Sequence, residues 1–246
     1  VHGIAQIGFA RGGQGTRLAS LYQRAPLRVL FPHPPAGDPP HAVLVTTSGG
    51  LVGGDRLEVE VGAGPDARAL VTTQAAEKVY RSTGADAAFT VALRVSTGAW
   101  LEWCPQETIL FDRARLRRST VLQLEPGARV LAGEILVFGR RAHGEQLRTG
   151  WLRDSWRVHL DDRLVWADAL RLEGDIAAQL AAPFGFAGAT ACATLIYAGA
   201  DAASWLEPMR DLVAGDRAGQ RSGVTCLPGL LLCRWLTEDA ALLRSD

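Results

Sequence analysis

Apolar residues recur at every second position through much of this chain: Leu57, Val59 and Val61; Val91, Leu93 and Val95; Trp156, Val158 and Leu160. A period of two puts one set of side chains on one face of an extended strand, whereas a helix needs apolar positions three and four apart. The alternating runs are themselves repeated. Leu57 to Gly64 leads into Ala69-Leu70-Val71-Thr72, Leu93 to Gly98 into Ala99-Trp100-Leu101-Glu102, and Leu122 to Gly127 into Ala128-Arg129-Val130-Leu131. Each unit is a strand, a glycine turn and a second apolar strand, returning with a period of roughly thirty residues. One such unit cannot bury its apolar face, but stacked units can. The sequence therefore predicts a mainly β fold, with stacked β-sheet layers in a β-helix-like body and a few helices in the C-terminal third. No low-complexity linker divides the chain, so residues 1–246 are expected to form a single domain.

Local signals refine this picture. Asp161-Asp162 between two apolar runs reads as a hairpin turn. Pro208 fits the first turn of a helix with Met209, Leu212 and Val213 on one face and Gly215 beyond its end, while Thr237 would cap a further helix starting at Ala240. The loop from Pro32 to Pro40 is expected to be an exposed excursion between two early strands. From Ile176 to Ala200 there is no charged residue, but the segment is mostly weakly apolar and is broken by Pro183, Gly185 and Gly188. Buried strands suit it better than a membrane span.

Composition narrows the partners. With 246 residues, 48% hydrophobic, and twenty-six basic against twenty-six acidic residues, the chain can build a sizeable core but carries no net charge to attract nucleic acid or an anionic membrane. Protein partners are expected, together with poor solubility in their absence. The four cysteines, Cys104, Cys192, Cys226 and Cys233, show no metal-finger spacing and read as free thiols in a reducing compartment. The N-terminal residues lack a signal-peptide pattern, which points to the cytoplasm. The five histidines are scattered, so no firm metal site is expected, and no triad has local support for nucleophilic catalysis.

Three segments carry candidate chemistry. Ser48-Gly49-Gly50-Leu51-Val52-Gly53-Gly54-Asp55 is rich in glycine but lacks the Gly-Lys-[Ser/Thr] ending and the following helix of a phosphate loop. It reads as tight turns with Asp55 bonding turn amides, or as backbone that admits the close approach of another surface. Thr72-Thr73-Gln74-Ala75-Ala76-Glu77-Lys78-Val79-Tyr80-Arg81 holds the sole lysine, and extended backbone would turn Glu77, Val79 and Arg81 one way and Lys78 and Tyr80 the other. Lys78 could mark a half-buried polar network or a contact site. Leu101-Glu102-Trp103-Cys104-Pro105-Gln106-Glu107-Thr108 sets two carboxylates in apolar surroundings. Such a pair could do acid and base work; alternatively, Glu107 with Asp55, Glu77 and Glu134 could line a polar channel suited to a cation in transit.

Taken in this order and at these spacings, the three segments resemble the urease accessory protein family UreD, also called UreH. The similarity begins at Gly15-Thr16-Arg17-Leu18 and Ala25-Pro26-Leu27-Arg28-Val29, includes Gly139-Arg140-Arg141-Ala142-His143-Gly144-Glu145, and returns at Leu230 to Leu236. The resemblance implies a cytoplasmic, non-enzymatic, all-β scaffold that joins the urease apoenzyme to UreF and the GTPase UreG for GTP-dependent nickel insertion. It implies no tightly bound cofactor, only transient nickel, and a polar passage through the body. The matching positions are Gly49, Gly50, Gly53, Asp55, Thr73, Lys78, Tyr80, Arg81, Gln106, Glu107, Gly144 and Glu145. The alternative from another class is a β-helix-type carbohydrate-active enzyme using Glu102 or Glu107 with Asp55.

Overall fold

A computed structural model describes residues 1–13, 15–214 and 219–244. The chain opens with a hairpin of β1 (His2–Gly12) and β2 (Gly15–Arg24), then crosses the exposed proline loop from β3 (Leu27–Leu30) to β4 (His41–Thr46). From there it winds. β5 (Arg56–Ala63), β6 (Arg68–Thr73) and β7 (Glu77–Val79) make one coil, and β8 (Ala87–Val95), β9 (Trp100–Trp103) and β10 (Thr108–Leu110) the next. A third coil comprises β11 (Arg115–Leu124), β12 (Arg129–Arg140) and β13 (Glu145–Gln146), after which β14 (Thr149–Leu160) turns back into β15 (Arg163–Asp175). That last turn has positive φ at both Asp161 and Asp162, the geometry of a two-residue hairpin loop.

Equivalent strands of successive coils pair in parallel. β5, β8, β11 and β14 lie side by side in a seven-stranded sheet closed at its edges by the antiparallel strands β2 and β15. β4, β6, β9 and β12 do the same in a second sheet, which continues through β16 (Ala191–Ala198), β18 (Leu230–Thr237) and β17 (Gln220–Leu227). The alternating residues meet between the two sheets as expected. Leu57, Val59, Val61, Leu93, Leu122 and Val158 face Leu101, Val130 and Ala132 in one continuous core, all of them essentially excluded from solvent.

β12 is long enough to serve two neighbours. Its first half pairs with β9, from Arg129↔Trp100 to Ala132↔Trp103, and its second half with β10, from Leu136↔Thr108 to Phe138↔Leu110. With β7 on the far side of β10, this second half forms a short third ladder, β7–β10–β12.

The uncharged segment departs in part from the expected strands. Residues 176–181 form helix α1 (Ile176–Ala181), capped by the Asp175 carboxylate accepting from the Ala178 N–H, and only residues 191–198 are a strand. No helix among the described residues is long and apolar enough to cross a membrane. The helix α2 (Leu206–Val213) holds Pro208 in its first turn, and Met209 and Val213 pack inward, but Leu212 is exposed; Gly215 lies outside the described residues. Thr237 instead ends β18, its hydroxyl accepting from the Asp239 N–H, and the chain reaches only a short 3-10 turn at Leu242–Arg244. All four cysteines are free thiols.

Candidate functional site: two cavities across one ladder

Parallel register fixes which residues of the short ladder share a face. Glu77, Thr108 and Leu136 are partners in one row, and Lys78, Ile109 and Val137 in the next, so the two rows point to opposite sides. The first row faces the space between the sheets, where it borders a small cavity of about 30 Å³ with Thr46, Thr73, Gln106, Arg118, Thr120, Glu134 and Trp156. The second row faces outward into an open cleft of about 470 Å³, which Tyr80, Glu107, Phe111, Arg140, Arg141 and His143 also line.

Charge in the inner cavity is concentrated on one guanidinium. Arg118 occupies an inward position of β11 between Leu116 and Thr120, and the register sets it directly beside Asp154 of β14. Its Nε and Nη2 donate to the two Asp154 oxygens at 3.0 and 2.5 Å; Nη2 also donates to Glu134 Oε2 at 2.5 Å, and Nη1 to Thr108 Oγ1 at 3.0 Å. The Arg118–Glu134 pair thus ties the first sheet to the second across the core, while Asp154 lies on the neighbouring strand of the same sheet as Arg118. Burial, opposed in part by Arg118 and reinforced by Asp154, pushes the Glu134 carboxyl up to about 8. The neighbouring indole of Trp156 favours its ionised form, although its N–H completes no hydrogen bond of ordinary geometry. Burial and the carboxylates of Glu134 and Asp154 hold the Cys192 thiol protonated. Glu77, on the same side, is raised by burial while accepting a 2.6 Å bond from Thr46 Oγ1.

The outer cleft is built on aromatic contacts. Phe111 meets Tyr80 edge-on with ring centroids 4.8 Å apart, and the Arg140 guanidinium lies 4.2 Å from its centroid. Arg140 Nε also donates to Glu145 Oε2 at 2.6 Å, and Glu145 Oε1 accepts from the Asp112 N–H. Gly144, at φ 74°, ends the 3-10 turn Arg141–His143 that leads into this pair. Arg81 is exposed and forms a single bridge to Ala114.

The glycine segment lies against the same ladder. Leu51 bridges Val79 in parallel, its N–H donating to the Lys78 carbonyl and its carbonyl accepting from the Tyr80 N–H, while the Tyr80 hydroxyl donates to the Gly49 carbonyl. This approach demands glycine at position 50: φ is 143°, and a Cβ would sit 2.6 Å from the Tyr80 ring and 2.7 Å from the Lys78 carbonyl oxygen. At Gly53 a Cβ would stand 2.1 Å from the Ser82 hydroxyl. Asp55 closes the segment, accepting from the Val52 N–H at 3.0 Å and from the Val1 nitrogen at 2.6 Å.

Of the residues singled out from sequence, Gly49, Gly50, Lys78 and Tyr80 therefore come together, and Glu107, Gly144 and Glu145 belong to the same outer region. Thr73 and Gln106 meet on the inner side, where the Thr73 hydroxyl accepts from the Gln106 N–H at 2.8 Å. Asp55 does not join Glu77 and Glu134. Its carboxylate is engaged in the turn, and Glu102 accepts from the Trp100 indole at 2.7 Å, so of Asp55, Glu102 and Glu107 only Glu107 lines one of the two cavities. Among the described residues, no group of three or more His, Cys, Asp or Glu side chains is arranged to hold a metal ion.

Arg118, Asp154, Thr108, Thr120 and Thr46 were not legible as site residues. A signal existed for the first two: each is a charged residue at an inward phase of an alternating run, Leu116-Arg118-Thr120-Leu122 and Leu152-Asp154-Trp156-Val158.

The fold and the two cavities define a wound, two-sheet β protein with a polar interior centred on a buried guanidinium and a charged, aromatic outer cleft. Comparison with known proteins places it further. The sequence matches the UreD urease accessory protein family over residues 1–246. It is 55% identical to a urease accessory protein UreD of Magnetococcus marinus, over 99% of this chain and 86% of the relative. Against proteins of the same name it is 43% identical in Rhodopseudomonas palustris (94% and 81% covered) and 45% identical in Xanthobacter autotrophicus (95% and 80% covered). The chain belongs to the UreD urease accessory protein family.

Proposed function

We propose that this protein acts in urease maturation as a non-catalytic scaffold. It joins the urease apoenzyme to UreF and UreG, and nickel is handed on with GTP hydrolysis through the polar interior. One observation carries the reading: five of the residues matched to the family flank a single ladder, Thr73 and Gln106 at an oxygen-lined cavity on one side and Lys78, Tyr80 and Glu107 at a charged cleft on the other. Thr46, Thr73, Gln106, Thr108, Glu77 and Glu134 offer hydroxyl, amide and carboxyl oxygens, which suit a hard or borderline cation in passage, and no imidazole among the described residues lines that cavity to retain it. The outer cleft, with exposed Lys78 beside Tyr80, Phe111 and Arg140, has the aromatic and arginine content of a protein contact.

The test is co-expression with urease, UreF and UreG, followed by co-purification and a nickel-dependent urease assay. A stable complex and urease activity that depends on this chain are expected. Full activity without it, or failure to associate, would remove the proposal.

A further inference from the structure

We propose that Arg118 is the resident cation of the interior cavity: it offsets the buried carboxylate charge there, so that a divalent cation meets oxygen ligands but too little net negative charge to retain it. The inference rests on reading that cavity as a route for nickel.

Its basis is the sharing of one guanidinium by two buried carboxyls. Arg118 Nη2 lies 2.5 Å from both Glu134 Oε2 and Asp154 Oδ2, and side-chain exposure is only 6%, 10% and 2% for Arg118, Glu134 and Asp154. A guanidinium does not release its proton at any physiological pH, so the positive charge is permanent. Removing it would leave two carboxyls facing each other out of water, with the Thr108 hydroxyl beside them and Glu77 on the same cavity wall. Such a group must either take up protons or capture a cation. Divalent cations accept this set of oxygens. With Arg118 in place the same oxygens remain, but its charge cancels that of the paired Asp154, and burial keeps the Glu134 carboxyl largely protonated at neutral pH. Strong retention and onward transfer are opposing demands, and the arginine favours transfer.

A purely structural ion pair between the sheets would make a different prediction for the same substitution. The experiment uses the complex with UreF and UreG, carrying wild type, Arg118→Gln or Arg118→Lys. Each is equilibrated with nickel and passed through gel filtration, and retained metal is counted while folding is followed by thermal unfolding. Arg118→Gln is expected to retain at least about tenfold more nickel than wild type, with slower urease activation. Arg118→Lys, which keeps a positive charge, should stay near wild type. A folded Arg118→Gln complex with no added nickel overturns the inference. Should that variant not fold, Gln106→Glu adds a negative charge to the same cavity at almost constant volume. Raised retention supports the inference, and wild-type retention overturns it. If the wild-type complex fails to activate urease at all, the scaffold reading falls instead.

Discussion

The two faces of the β7–β10–β12 ladder are separated by one residue in sequence and by opposite electrostatic solutions. On the inner face, Glu134, Asp154 and Thr108 all accept from the Arg118 guanidinium, which offsets the buried carboxylate charge within the core. On the outer face, Lys78, Arg140, Arg141, Glu107 and Glu238 line an open cleft where water and partners can reach them. Strand alternation alone makes this division, since Glu77 and Lys78 are neighbours that point apart. Polar groups inside a β body are kept only if satisfied locally, whereas those outside can remain available for recognition. The inner face should therefore govern stability and the outer face association.

The sharpest way to break that comparison is to orphan the buried guanidinium. Asp154→Ala leaves Arg118 with Glu134 and Thr108 but without its bidentate partner, and a loss of about 3–5 kcal/mol is expected from chemical denaturation. A loss below about 1 kcal/mol would show that the buried charge cluster contributes little to stability.

A second test uses pH. Because burial raises the folded-state Glu134 carboxyl to about 8 from an ordinary 4.5, the unfolded chain loses its proton first as pH rises. This group's contribution to stability therefore falls between about pH 4.5 and pH 8 and is level outside that window, with a slope of at most about 1.4 kcal/mol per pH unit. Thermal unfolding of wild type against Glu134→Gln isolates it. The difference should grow in favour of Gln across the window, and parallel curves would refute the assignment.

Much of this architecture was legible. Leu57-Val59-Val61 and its counterparts announced strands, and the recurring glycine turns announced coils, because period and turn chemistry are local properties of the chain. The 176–181 helix was not, since an uncharged run of alanines carries little periodicity and Asp175 had to be recognised as its cap. At the site, the glycine segment and Lys78-Tyr80 could be found because their side-chain types are unusual in place. Arg118 and Asp154 could not be joined from sequence. They lie thirty-six residues apart, and only the parallel register makes them neighbours. Asp55 shows the converse error: a carboxylate grouped by composition with Glu77 and Glu134 is spent on its own turn.

Between the two faces stands the glycine segment, and Gly50→Ala probes how tightly it is seated. The new Cβ would meet the Tyr80 ring and the Lys78 carbonyl at a backbone conformation that L-residues rarely adopt. A loss of about 1–3 kcal/mol is expected, smaller than for Asp154→Ala because the loop can shift where the core cannot. Gly49→Ala also lies at positive φ, but a Cβ there meets no atom within 4 Å, so its cost should be the lesser of the two. Equal losses would mean that backbone strain, and not the approach to Tyr80, sets the requirement.

The smallest effect on stability should come from Lys78, and it is the most informative for function. The side chain is exposed on the ladder's outer row, so Lys78→Ala should change unfolding free energy by less than about 0.5 kcal/mol. If the outer face serves association, the same substitution should weaken co-purification of the maturation complex and lower nickel-dependent urease activation, and the charge-reversed Lys78→Glu should do so more strongly. Neither variant touches the Arg118 cluster, so a binding defect with unchanged unfolding would assign recognition to the outer row alone. A stability loss comparable to that of Gly50→Ala would instead show that Lys78 belongs to the structural seam beneath it, and the division of labour between the two faces would fail.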